Sequence, residues 1–378
     1  MARRMTATPP VLAGYAYVRP LGAGGFADVF LYEQDMPRRL AAVKVLLADA
    51  LDPEVRRAFN AEADVSARLS AHPAIVTIYQ ASVSADGRPY LAMEYCPDTM
   101  GARAKRQPLS LPEALDTGVR LAGALETAHR SGLLHRDIKP SNVLVNALGA
   151  PVLADFGIAA ARAAEAGEAE VFAMSVPWSA PEVLKEEVSG SVAAEVWSLG
   201  ATLYTLLAGR SPFEVADRSR NTREQLTRRI VKAGYTPLPI PGMPAQVDQL
   251  LSTAMARDPQ KRYPSMAAFA ERLRQVQAEL GLPPTPFEVI SPEWAGAAPV
   301  RFSDSSFRGP VVTTVQPDSR RATRLSKRIE PGSTDRDGLP VAASRRSLGG
   351  VAAGLIGAGV AVTLVVGGFI VARVLGVI

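Results

Sequence analysis

The chain has 378 residues, 47% hydrophobic and 21% charged, with a formal net charge of +5. That balance excludes a wholly disordered or collagen-like protein, and at roughly 150 residues per domain the length holds two to three units. A single cysteine, Cys96, excludes a disulfide framework, and three histidines leave little material for a zinc centre. Residues 1–280 carry 31 Lys and Arg against 30 Asp and Glu, so the large N-terminal part is almost neutral and no nucleic-acid partner is expected.

The start, MARRMTATPP, is basic but lacks the apolar stretch of a secretory signal. From residue 15 to 95 the pattern is β-rich, with runs at 41–47, 74–80 and 89–95 bounded by turns such as Asp86-Gly87. One helix is predicted inside that region, from Pro53 to Ser70, with Val55, Phe59, Glu62, Val65 and Leu69 on its inward side. Beyond residue 110 the chain reads as helical. A helix over Leu111–Arg130 is capped by Ser110, opens with Pro112 and stops at Gly132; a strongly apolar one over Ala193–Ala208 stops at Gly209.

Residues 281–347 hold 9 Pro, 5 Gly and 14 Ser or Thr without sustained periodicity, the composition of a disordered linker. Arg320, Arg321, Arg324, Lys327 and Arg328 form a basic cluster within it, suited to anionic headgroups if a bilayer is near. Residues 348–372 are 25 positions without a charge. As a helix they would extend about 37 Å, enough to cross a hydrocarbon core of ~30 Å, so one membrane span is predicted. Arg345 and Arg346 before it, against Arg373 after it, keep the N-terminal side in the cytoplasm and leave 373–378 as a short extracytoplasmic tail.

Four features inside residues 1–280 carry chemistry. Gly22, Gly24 and Gly25 lie between two strand-like runs, where absent side chains let backbone N–H groups approach phosphate oxygens. A strand follows these glycines, so this is no Rossmann fingerprint, and no Gly-Lys-Ser/Thr follows, so it is no Walker loop. Lys44 is the one charge of its strand, and Glu62 is an inward carboxylate able to hold it. Then come LLHRDIKPSNVLV (133–145) and LADFGIA (153–159). They place Asp137, Asn142 and Asp155 at the ends of strand-like segments, the oxygen donors that phosphoryl transfer with Mg²⁺ requires.

These motifs, in this order, make residues 13–280 resemble a protein kinase, specifically the bacterial transmembrane Ser/Thr type; 35 Arg to 7 Lys fits a GC-rich, actinobacterial-like source. The resemblance implies an α+β, two-lobed fold, with a β-rich N-lobe over about 13–96 and a helical C-lobe over about 97–280. It implies ATP and Mg²⁺ (or Mn²⁺), with Leu21, Gly22, Gly24, Gly25, Val29, Ala42, Lys44, Met93 and backbone groups of Glu94 and Cys96 around the nucleotide. Asn142 and Asp155 are then the metal ligands, Asp137 accepts the substrate proton, Lys139 contacts the γ-phosphate, and Lys44 pairs with Glu62. Glu182 and Arg262 are the expected structural ion pair.

Implied partners are protein Ser/Thr acceptors, the chain itself among them, together with membrane lipid, a second copy paired through the N-lobes, and phospho-reading proteins on the linker. Three positions depart from the pattern. Ala27 replaces the third glycine; Glu195 replaces the aspartate before Trp-Ser-Leu-Gly; and residues 158–179 hold only Ser175 and Ser179 as hydroxyls, leaving Arg136 without its usual phosphorylated partner. Glu165, Glu168 and Glu170 are candidates for a fixed-charge substitute for that partner, with a solvated acidic loop as the alternative. A membrane-tethered pseudokinase, with turnover abolished at Ala27 and Glu195, is the alternative reading.

Overall fold

The computed structural model describes residues 6–24, 27–48, 53–156 and 175–290. Gly25, the acidic stretch 165–170, the basic cluster 320–328, the predicted span 348–372 and the tail 373–378 lie outside the described residues. No helix among the described residues is long and apolar enough to cross a membrane.

The N-lobe is built from β1 (Tyr15–Ala23), β2 (Ala27–Asp35), β3 (Arg38–Leu46), α1 (Pro53–Leu69), β4 (Ile78–Val83) and β5 (Pro89–Glu94). The strands form one antiparallel sheet in the order β1-β2-β3-β5-β4. Alternation puts Phe30, Tyr32, Val43, Val45, Tyr90 and Ala92 in one buried cluster. The other face packs on α1, where Phe59 and Ala63 meet Ala27, Leu46 and Leu91. The methyl that distinguishes Ala27 from glycine is therefore part of the core. Residues before 13 belong to this lobe as well: Tyr32 donates to the Pro10 carbonyl at 2.6 Å, and Arg88 to that of Thr8 at 2.9 Å.

One predicted strand is shorter than its apolar run. Residues 74–77 form a loop, and the strand starts at Ile78. The loop is apolar because it is buried between lobes: Val76 donates its N–H to Leu153 O, and Leu153 N–H to Ala74 O.

The C-lobe follows through β6 (Asp98–Thr99), α2 (Met100–Arg106), α3 (Leu111–Arg130), β7 (Val143–Val145) and β8 (Pro151–Leu153). After residue 174 come α4 (Pro181–Leu184), α5 (Val192–Ala208), α6 (Arg223–Lys232), α7 (Ala245–Ala254) and α8 (Met266–Glu279). The N-terminus of α3 is held as expected, the Ser110 N–H and hydroxyl both donating to the Glu113 carboxylate. Helix α5 is apolar all round because it is the buried axis of the lobe; Val196, Trp197, Leu199 and Leu206 have no exposure. It stops at Gly209, whose φ of 71° suits a residue without Cβ.

Residues 281–290 correct the expected linker boundary. They continue from α8 as ordered chain packed on the C-lobe, with Thr285 buried and Phe287 against the core. Their Pro-rich composition mimics a linker, yet the prolines remove backbone donors that an extended packed segment would have to satisfy.

Candidate active site

The β7–β8 hairpin sets the centre of the site. Val143 pairs with Leu153, which brings Asn142 beside Ala154, and Ala154 N–H donates to Asn142 O at 3.0 Å. Asp155 follows at once, with φ of 60°, and Arg136 on the other side has φ of 67°. Two non-glycine residues in left-handed geometry mark a backbone held by its surroundings.

Lys44 sits in β3 opposite Val29 and Leu91. Its Nζ donates to Glu62 Oε1 at 2.6 Å and to Asp155 Oδ1 at 3.0 Å, joining β3, α1 and the segment after β8. Burial alone would push the ammonium pKa down, but Asp155 and then Glu62 outweigh it and hold it above the ordinary lysine value. Asp155 is held below the usual carboxylate range, chiefly by Lys44. Glu62 is pushed up by burial, which Lys44 opposes without cancelling.

On the C-lobe side Asp137 is fully engaged. Ser175 Oγ donates to its Oδ1 at 2.8 Å, while Lys139 Nζ and Asn142 Nδ2 donate to its Oδ2 at 2.5 and 3.0 Å. Lys139 also reaches Ser175 Oγ at 2.9 Å. Asn142 Nδ2 donates as well to the Asp137 carbonyl, which commits its amide nitrogen and turns Oδ1 toward other partners. That oxygen and the Asp155 carboxylate are hard donors of the kind Mg²⁺ takes, two from protein with the remainder from phosphate and water, so the residues fit the ion.

Apolar side chains from both lobes line the space beside Lys44. Ala42, Val76, Met93 and Ala154 form one buried cluster, with Leu21, Val29, Ile78, Cys96 and Leu144 packed against it. Such an apolar surface, contributed by both lobes, is the kind a purine ring packs against. Beyond Glu94, whose N–H is used by Thr77 O, the Cys96 N–H makes no hydrogen bond among the described residues. Burial and then Glu94 push the Cys96 thiol up to about 12, so it stays protonated and unreactive. In the β1–β2 turn, Gly24 N–H donates to Ala27 O at 2.9 Å, and a Cβ on Gly24 would lie 2.9 Å from that oxygen. Gly22 faces open space, with nothing within 4 Å of where a Cβ would stand. Lys44, Glu62 and Asp155 thus come together, as do Asp137, Lys139 and Asn142, with Leu21, Val29, Ala42, Met93 and Cys96 in the neighbouring apolar cluster; Gly25 is outside the described residues.

Of the anchors behind the cleft, Glu195 and the Glu182–Arg262 pair were expected from the motifs, whereas His129 was not. Glu195 Oε1 accepts the Arg136 N–H at 2.7 Å, so its longer side chain still holds the loop at the strained residue. Its Oε2 meets His129 Nε2 at 2.6 Å. His135 is fully buried; its Nε2 donates to Ala154 O at 3.1 Å and its ring packs on Phe156 at 4.7 Å between centroids. Burial depresses its pKa, so it is a neutral spacer between the two strained residues. Arg262 donates to both oxygens of Glu182, at 2.6 and 2.9 Å.

The protein kinase domain family matches residues 15–273. Serine/threonine-protein kinase PknK of Mycobacterium tuberculosis is 40% identical over 275 residues, which cover 71% of this chain and 24% of that protein. Serine/threonine-protein kinase PknJ of the same species is 36% identical, covering 69% of this chain and 45% of PknJ. Serine/threonine-protein kinase PknA is 31% identical over 329 residues, covering 84% of this chain and 72% of PknA. The chain therefore spans about a quarter of the length of PknK and under half that of PknJ. With the cleft built from the residues that define the family, and with a family match over most of its length, this chain belongs to the protein kinases, among the bacterial serine/threonine type.

Proposed function

We propose that the chain transfers the γ-phosphoryl group of ATP to Ser and Thr hydroxyls of proteins, itself included, while held at a membrane. The observation that carries the transfer is the Lys44 ammonium joined at once to Glu62 and Asp155, facing Asp137 and Lys139 across one cleft. Lys44 is a fixed cation for the phosphates, and Lys139 is a second one beside the acceptor. Asp137, oriented by Ser175 and Asn142, receives the acceptor hydroxyl proton. The acceptor oxygen bonds to the γ-phosphorus as the bond to the bridging oxygen breaks, and ADP leaves. Asn142 and Asp155 would hold Mg²⁺, which when bound neutralises phosphate charge.

The intact contact of Glu195 with the catalytic loop, and the buried methyl of Ala27, favour the active reading over a pseudokinase. Incubation of the full chain with labelled ATP, Mg²⁺ and a generic protein substrate tests the reading. Lys44→Met and Asp155→Asn are expected to lower kcat by at least about 10²-fold. Equal labelling by wild type and both variants would end the case.

Membrane attachment is the finer part of the proposal and rests on the uncharged stretch 348–372. A linker over 291–347 gives the domain an r.m.s. reach on the order of 40 Å from the bilayer. Substrates are then membrane-proximal, and linker Ser and Thr residues are within reach for autophosphorylation and for phospho-reading partners.

A further inference from the structure

Residues 281–290, GLPPTPFEVI, lie along one stripe of α3 and end at the loop that follows α1. On α3 the stripe is Asp116, Gly123 and Thr127, whose spacing of seven and four puts them on one helical face. Thr285 is the first anchor. Its N–H donates to Gln277 Oε1 at 2.9 Å, its hydroxyl donates to Asp116 Oδ1 at 2.9 Å, and Gln277 Nε2 donates back to that hydroxyl at 2.8 Å. Ile290 is the last, its N–H donating to Thr127 Oγ1 at 3.2 Å.

Between them the Glu288 carbonyl passes over Gly123 so closely that a Cβ there would lie 2.3 Å from the oxygen. That carbonyl accepts from His72 Nε2 at 2.9 Å. The other ring nitrogen, Nδ1, accepts the Ala74 N–H at 3.0 Å, so the ring is neutral with its proton on Nε2. The His72 N–H in turn donates to Leu69 O, the last residue of α1. Glu62 stands seven residues earlier on that rigid helix, about 10 Å away along its axis.

We propose that residues 281–290 are a positioning strap for phosphoryl transfer, which through His72 fixes the C-terminal end of α1 and so keeps Glu62 on Lys44. This rests on the kinase reading given above. Release of the strap lets α1 move as a body, loosens the carboxylate from the ammonium, and lowers turnover without unfolding the C-lobe. Forces on the chain beyond residue 290 then act on the active site through a defined contact.

The test uses the full chain. Gly123→Ala drives the strap off by contact with Glu288 O, and Thr285→Val removes the hydroxyl that Asp116 and Gln277 share; Thr285→Ser restores it. Hydrogen exchange is followed in 281–290, in 60–77 and in α5, alongside kcat and the KM for ATP. Release is expected to speed exchange in 281–290 and 60–77 together by tenfold or more. It is also expected to lower kcat several-fold and leave α5 protection unchanged, with Thr285→Ser matching wild type. Fast exchange in 281–290 with 60–77 and kcat within twofold of wild type would overturn the proposal. Should Gly123→Ala expose α5, it has unfolded the lobe, and Thr285→Val decides by the same criteria. Should wild type transfer no phosphate, the kinase reading fails, while the linked exchange of 281–290 and 60–77 still decides whether the strap holds α1.

Discussion

At the scale of single residues, the three histidines are the sharpest contrast between pattern and structure. By count they leave little material for a zinc centre; in the fold each is an internal anchor, His72 for the loop after α1, His129 for Glu195 and His135 for Ala154. Glu195 is the residue whose removal tells most. Glu195→Ala leaves the Arg136 N–H and the His129 ring without their buried partner, at a cost of about 1–3 kcal/mol. Urea unfolding should show that loss. The kcat of Glu195→Ala should fall more than that of Glu195→Asp, which keeps a carboxylate for the loop.

The acid limb of activity is expected to belong to Glu62. Its pKa in the folded chain is raised by burial, whereas that of Asp155 is depressed by Lys44. As pH falls, the folded state therefore takes up a proton at Glu62 first, and the ion pair with Lys44 weakens while Asp155 is still charged. The pH profile of kcat is expected to lose its first acid step in Glu62→Gln, with a lower plateau. An unchanged acid limb in that variant would assign it elsewhere. Lys44, Asp137, Asn142 and Asp155 were legible because each sits in a short motif. His129 and Glu195 are 66 positions apart, and nothing local links them.

At the scale of elements, legibility follows periodicity and capping. Helices α3 and α5 were readable almost to the residue because Ser110 and Gly132 bound one and Gly209 ends the other. The run 74–80 was misjudged in its first half, since a buried interlobe loop and a buried strand are equally apolar. Close helix packing was invisible in the pattern. Gly200 on α5 has room for no side chain, a Cβ there lying 2.9 Å from Ala254 Cβ on α7. Ala254 is itself wholly buried, so neither helix yields easily. Gly200→Ala is expected to destabilise by about 1–3 kcal/mol, read as a lower urea midpoint with unchanged KM for ATP. A midpoint equal to wild type would show that α5 and α7 separate at no cost.

At the scale of the whole molecule, the lobes are joined through few places, and the site spans them. Lys44 and Glu62 come from above, Asp137, Asn142 and Asp155 from below. The Glu182–Arg262 pair braces α4 against the turn before α8, with the Arg262 side chain fully buried. Arg262→Met strands a buried carboxylate, at an expected cost of about 3–5 kcal/mol. Thermal unfolding of Arg262→Met against Arg262→Met/Glu182→Gln checks this, the double variant recovering part of the loss.

What the sequence by itself determined is the family and its motifs: which acids, amide and lysines stand together, and the order of strands and helices that carries them. Such residues are constrained by reaction partners, so their types and spacings are local and readable. The tertiary structure alone decided that residues 281–290 pack on the domain, and that His72 and His129 are among the groups that hold its loops. A proline-rich decapeptide is a linker or a strap according to whether a helix offers it Gly123, Thr127 and Asp116 in one line. That match depends on contacts between segments more than 150 residues apart, which no local pattern encodes.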